Sequence, residues 1–185
     1  LHGGTGSGKT VVFLRLIQRT RGLGRRALVL VPEIGLTPQM IRRRKSTFGS
    51  RLAVQHSALN NTERLLQWRM IQQGNADIVV GTRSAVFAPL QNLGLIIMDE
   101  EQEHTYQSES APRFDAHDVA KKRAVMENAL LLFASATPLT ETYHAAEGGK
   151  PQLVQPTPRS GGRPPPRGDF LHLPPAHAPG TPRPD

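Results

Sequence analysis

The chain has 185 residues, of which 37% are hydrophobic and none is cysteine, and carries a formal net charge of +8, which suits one domain with a real core and is short for two. The lack of cysteine excludes a disulfide framework and a cysteine-based zinc site within these residues, and no apolar run approaches the ~20 residues of a membrane span. The positive excess favours a polyanionic partner, nucleic acid before membrane, and a cytoplasmic protein is expected.

The first ten residues contain Gly3-Gly4-Thr5-Gly6-Ser7-Gly8-Lys9-Thr10, a glycine, four residues, then Gly-Lys-Thr. This is the pattern of a phosphate-binding loop for a purine nucleoside triphosphate. Glycines let backbone N–H groups turn inward around the phosphates, and a helix starting near Gly8 points its positive end at them. Lys9 would reach the β/γ-phosphates and the Thr10 hydroxyl would bind Mg²⁺. Only Leu1 and His2 precede the loop, so the strand from which such a loop hangs is expected to be cut short.

From Val11 to about Arg21 apolar residues recur at helical spacing, and Gly22 and Gly24 close the helix. Ala27 to Val31 reads as a strand buried on both faces of a parallel sheet, ended by Pro32. Thr37 caps the next helix, with Pro38 at its first position and Phe48-Gly49 at its end. Leu52 to Gln55 is a short strand. Asn61 or Thr62 can cap a helix whose apolar face carries Leu65, Trp68 and Ile71 before Gly74 stops it. Trp68 is expected in the core or in helix packing, because its spacing matches its apolar neighbours. Ile78 to Val80 and Leu93 to Met98 are strands, the latter leading into Asp99-Glu100-Glu101-Gln102. A polar loop over 103–113 precedes Asp115, a cap for a helix through Val119 to Met126, and Leu130 to Phe133 forms the last strand before Ser135-Ala136-Thr137-Pro138.

This alternation implies a doubly wound, parallel α/β sheet with helices on both faces, whose ligands bind at the C-terminal strand ends. Residues 1–150 make one lobe. The last 35 residues hold 11 of the 16 prolines and little to bury, so 151–185 reads as a tail, disordered from Pro156 to Asp185. A basic nucleic-acid-binding tail and a shifted reading frame are further readings of the same composition.

Asp99-Glu100 at the end of an apolar strand supplies the second element of a P-loop hydrolase: one carboxylate for Mg²⁺, the next to orient and deprotonate the attacking water. With the phosphate loop before it and Ser135-Ala136-Thr137 after it, the order is that of helicases built from two RecA-like lobes. Together with Val31-Pro32-Glu33-Ile34-Gly35-Leu36-Thr37-Pro38-Gln39, Gly81-Thr82-Arg83-Ser84-Ala85 and Pro112-Arg113-Phe114, these motifs resemble the primosomal protein N′ family of superfamily 2 over about residues 1–150.

The resemblance implies an ATP-driven 3′-to-5′ DNA helicase that acts at stalled forks with primosome partners. Lys9, Thr10 and Asp99 then bind phosphate and Mg²⁺, Glu100 activates water, and Ser135 and Thr137 couple nucleotide state to movement. Thr37, Thr82 and Arg83 would contact the DNA backbone without reading bases. Tyr106, Arg113 and Phe114 lie where this family has an aromatic-rich loop that senses single-stranded DNA, with core packing the alternative for Phe114. The family usually has His where this chain has Gln102, with His104 two residues on; Gln can hydrogen-bond across the site but carries no protonic charge. Fork-recognition domains are expected before Leu1, and a zinc module and second lobe with an arginine finger after Lys150, so zinc belongs only to that downstream part. Two other readings stay open: a different P-loop enzyme such as a small-molecule kinase or GTPase, and a non-catalytic basic nucleic-acid-binding fragment.

Overall fold

The computed structural model of the chain describes Leu1 and residues 8–137. The expectations for Gly3 to Ser7 and for the tail from residue 151 lie outside the described residues.

Five parallel strands, β1 (Arg26–Leu30), β2 (Leu52–Gln55), β3 (Ile78–Gly81), β4 (Leu93–Asp99) and β5 (Leu130–Ala134), form one sheet in the order β2-β3-β1-β4-β5. The strands are short apolar runs, and β1, the middle one, buries Ala27 to Leu30 completely. Alternate residues serve opposite faces. Leu28, Leu30, Val79, Ile96 and Met98 meet helices α3 (Asn61–Gln72) and α4 (Ala116–Met126), through Ile71, Ala116 and Ala120. Val29, Val31, Val80, Leu95 and Ile97 meet α1 (Lys9–Gly22) and α2 (Pro38–Phe48), through Phe13, Ile17 and Phe48. The doubly wound α/β arrangement expected from the alternation is therefore present. Leu1 lies along β5: its backbone nitrogen donates to the Phe133 carbonyl (2.6 Å) and its own carbonyl accepts from Ser135 N–H (3.1 Å).

Local chemistry sets the helix starts. Thr37 Oγ1 accepts the Met40 N–H at 3.3 Å, and Asp115 Oδ1 accepts the His117 N–H at 2.8 Å, as the sequence indicates. The cap of α3 is one residue earlier than expected. Asn60 accepts the Glu63 N–H (2.8 Å) while Glu63 accepts the Asn60 N–H (3.0 Å), a reciprocal pair that needs the acid three residues after the cap.

The apolar face read for α3 is also corrected. Ile71 is buried, but Leu65 and Trp68 remain 48% and 37% exposed. The reason lies at the sheet edge: α3 packs on β2, the outermost strand, and turns Gln67 inward so that its carbonyl oxygen accepts the Val54 N–H at 2.9 Å. Satisfying that edge donor fixes the helix rotation.

Candidate nucleotide and nucleic-acid site

The N-terminal end of α1 and the C-terminal ends of β4 and β5 meet at one end of the sheet. Gly8 caps α1 with φ +88°, a left-handed conformation suited to glycine. Lys9, in the first turn, is largely buried along its side chain and places Nζ 3.2 Å from Glu100 Oε1, across 91 residues of sequence. Thr10 is exposed beside it. Asp99 ends β4 and accepts the Glu100 N–H at 3.1 Å, while Glu100 turns out of the strand with φ +48°.

Burial pushes the Glu100 carboxyl up, but hydrogen bonds from Gln102 and Lys9, the Lys9 charge and the Ala136 N–H outweigh it and hold the group below the usual range. Gln102 is the hub of this end. Its Nε2 donates to Glu100 Oε2 at 2.9 Å and its Oε1 accepts the Ser135 hydroxyl at 2.5 Å. Ser135 Oγ in turn accepts the Thr137 N–H at 2.8 Å. One neutral amide thus joins the acidic turn to the Ser-Ala-Thr segment as donor on one side and acceptor on the other, which the sequence left unassigned.

The residues expected on the DNA side divide. Thr37 and Arg113 are exposed. Thr82 is buried, 4% exposed, and its N–H is taken by the Gln55 carbonyl (3.0 Å), so it offers no donor at the surface. Arg83 spans from the turn after β3 to the loop following β4, donating to the carbonyls of Thr105 (3.2 Å) and Gln107 (2.6 Å). It also lies 5.8 Å above the Phe114 ring. Phe114 is half-buried and packs edge-on against Phe87 at 4.9 Å, the packing role named as its alternative. Tyr106 is corrected: it is 1% exposed, and its hydroxyl donates to the Asp99 carbonyl at 2.6 Å. A phenol seeking a partner inside the core finds the end of β4, so the ring props the acidic turn instead of facing solvent.

Residues 1–145 match the DEAD/DEAH box helicase family. This chain belongs to that family. As a family member it is a helicase-type α/β lobe, which removes the small-molecule kinase and GTPase readings. Replication restart protein PriA of Bacillus subtilis is 49% identical over 154 residues, covering 83% of this chain and 19% of the relative. Replication restart protein PriA of Synechocystis is also 49% identical, over 78% of this chain and 17% of the relative. The chain thus spans about a fifth of the length of these curated relatives. Among solved structures, RecG bound to a three-way DNA junction superposes with a TM-score of 0.57 and 26% identity, over 81% of this chain and 19% of that one.

For this DEAD/DEAH box lobe the sequence reading flagged one position of consequence and missed another. Gln102 is flagged by its departure from the family pattern, yet its pairing with Ser135 is a tertiary fact. His117, the second residue of α4, carries no motif at all. The only local hint was its place two residues after a capping aspartate.

Proposed function

We propose that residues 1–150 form the first RecA-like lobe of an ATP-driven 3′-to-5′ DNA helicase acting in the cytoplasm on single-stranded and forked DNA, with primosome proteins as partners in replication restart. The observation that carries this reading is the contact of Lys9 with Glu100, extended through Gln102 to Ser135. It brings three motifs of such a machine to one end of the sheet. The names of the relatives, PriA, and of the RecG–junction complex supply the DNA.

Mg²⁺ fits the oxygen donors present. The Thr10 hydroxyl and the Asp99 carboxylate would hold it with one or two protein ligands, leaving phosphate and water for the rest. When bound, it neutralises charge on the β/γ-phosphates. Gly3, Gly4, Thr5, Gly6, Ser7 and Gly8 would cradle the phosphates of ATP with Lys9 on their outer edge. Glu100 orients a water whose oxygen attacks the γ-phosphorus as the bond to the β-phosphate oxygen breaks. Glu100 takes the water's proton and returns it to the product phosphate. Moving Lys9 from Glu100 to the phosphates removes a cation that keeps this carboxyl acidic, so nucleotide binding itself raises the basicity of the group that must accept the proton. Ser135 and Thr137 sense that change through Gln102, while Thr37, Arg83, Arg113 and Phe114 face the DNA backbone and bases.

In a protein joining this lobe to a second one, ATP hydrolysis is expected to be slow until single-stranded or forked DNA is added. A hydrolysis rate indifferent to DNA overturns the reading. The 185-residue chain alone is expected to bind nucleotide weakly and to unwind nothing.

A further inference from the structure

His117 is buried, and both its ring nitrogens face acceptors. Nε2 lies 2.8 Å from the Glu101 carbonyl oxygen and Nδ1 lies 2.7 Å from Asp115 Oδ1. A carbonyl has no proton to give, so Nε2 carries one. Asp115 already accepts the His117 N–H (2.8 Å) and the Gln107 amide (3.3 Å). Two N–H donors on one carboxylate favour its ionised form. An ionised carboxylate requires that Nδ1 carry a proton as well, and a neutral imidazole has only one N–H to share between the two.

Tyr106 stands edge-on to the His117 ring at 5.4 Å and Phe133 lies at 5.8 Å from it. Burial, with the charges of Asp99, Glu100 and Glu103, keeps the Tyr106 phenol protonated. The peptide on which His117 acts is pinned from both sides, because the Glu101 N–H donates to the Ala134 carbonyl at 3.1 Å. Immediately before it stands Glu100 at φ +48°, a left-handed conformation that a non-glycine residue keeps only where the surroundings impose it.

We propose that His117 is an imidazolium that donates from both ring nitrogens, and that it is a positioning residue: it ties the Glu101 carbonyl to the Asp115 cap of α4 and so fixes the left-handed turn at Glu100. Only the meaning given to Glu100 rests on the helicase reading. Because Asp115 directly follows Phe114, the end of the 103–113 loop and the acidic turn are joined through one ring.

The test is ¹⁵N NMR on the 185-residue chain labelled at histidine, at neutral pH and without nucleotide. Both ring nitrogens of His117 are expected to give N–H signals. One N–H and one bare nitrogen in the unsubstituted chain overturns the proposal, whether or not any variant folds. In Asp115→Asn the second ring proton should be lost and the amide signals of Glu101 and Gln102 should move, while those of Arg51 and Asp77 stay in place. Two N–H signals persisting in that variant, or a Glu101–Gln102 peptide that does not respond, also overturns it. Neither measurement involves ATP, so the ring assignment stands or falls separately from the helicase reading.

Discussion

The two ends of the sheet use the same chemistry to opposite purposes. At the N-terminal ends of the strands Arg51 grips Asp77 with two bonds of 2.7 Å, and Arg21 adds a third at 3.1 Å. Arg25 donates to the carbonyls of Leu93, Glu127 and Asn128, and Arg26 to those of Gln91 and Gly74. These cations are matched to partners that stay in place, and they tie the strand entrances together. At the C-terminal ends the Lys9–Glu100 pair is the one that the proposed nucleotide would open, because a phosphate would compete for the same ammonium. Glu100 also keeps a strained backbone there. Charges matched by fixed carbonyls and carboxylates stabilise the fold; the Lys9 ammonium, matched by one carboxylate, is the charge that the proposed nucleotide would draw away.

The largest break in this contrast should come from Glu100→Gln. Removing the proposed base is expected to slow ATP hydrolysis by about 10²–10⁴-fold without weakening nucleotide binding, since Lys9 is then released. Parallel turnover and binding measurements check this. Lys9→Ala should follow, lowering nucleotide affinity by about 10–100-fold, the worth of a charge-assisted bond, while DNA binding is spared; loss of both together would make the loop structural.

Backbone packing at the same end comes next. A Cβ at Gly81 would sit 2.4 Å from Ala85 Cβ and 2.5 Å from the Gln55 carbonyl oxygen, so Gly81→Ala should cost about 1–3 kcal/mol in denaturant unfolding. The smallest effect belongs to the opposite end of the sheet. The hydrogen bond from Arg51, joined by Arg21 and opposed by burial, holds Asp77 below the usual carboxylate range. A depressed carboxyl stabilises the fold above its unfolded pKa and loses that contribution as the pH falls through its folded one. Asp77→Asn should therefore lower the thermal midpoint at neutral pH by about 2–4 °C and flatten the acid limb of stability against pH. Nucleotide affinity should stay unchanged.

Much of the scaffold was legible because its causes are local. The Thr37 and Asp115 caps depend on residues two or three positions away, and the apolar runs of β1 and β4 specify strands buried on both faces. Where a distant element decides, the reading failed. Trp68 and Leu65 match a helical stripe, but the unpaired edge of β2 rotates α3 to bring in Gln67. Tyr106 and Thr82 are residue types that serve DNA or core equally well, and the partners that bury them come from β4 and β2.

By itself the sequence determined the order of strands and helices and the strand ends at which its conspicuous Lys9, Asp99, Glu100 and Ser135 lie. Only the tertiary structure decided their partners: that Lys9 rests on Glu100, that Gln102 bridges to Ser135, and that His117 reaches the Glu101 carbonyl. The physical reason is range. Periodicity and capping are fixed within a turn of helix or a few strand residues. A hydrogen bond across 91 residues exists only once the strand order β1-β4-β5 has set those ends side by side.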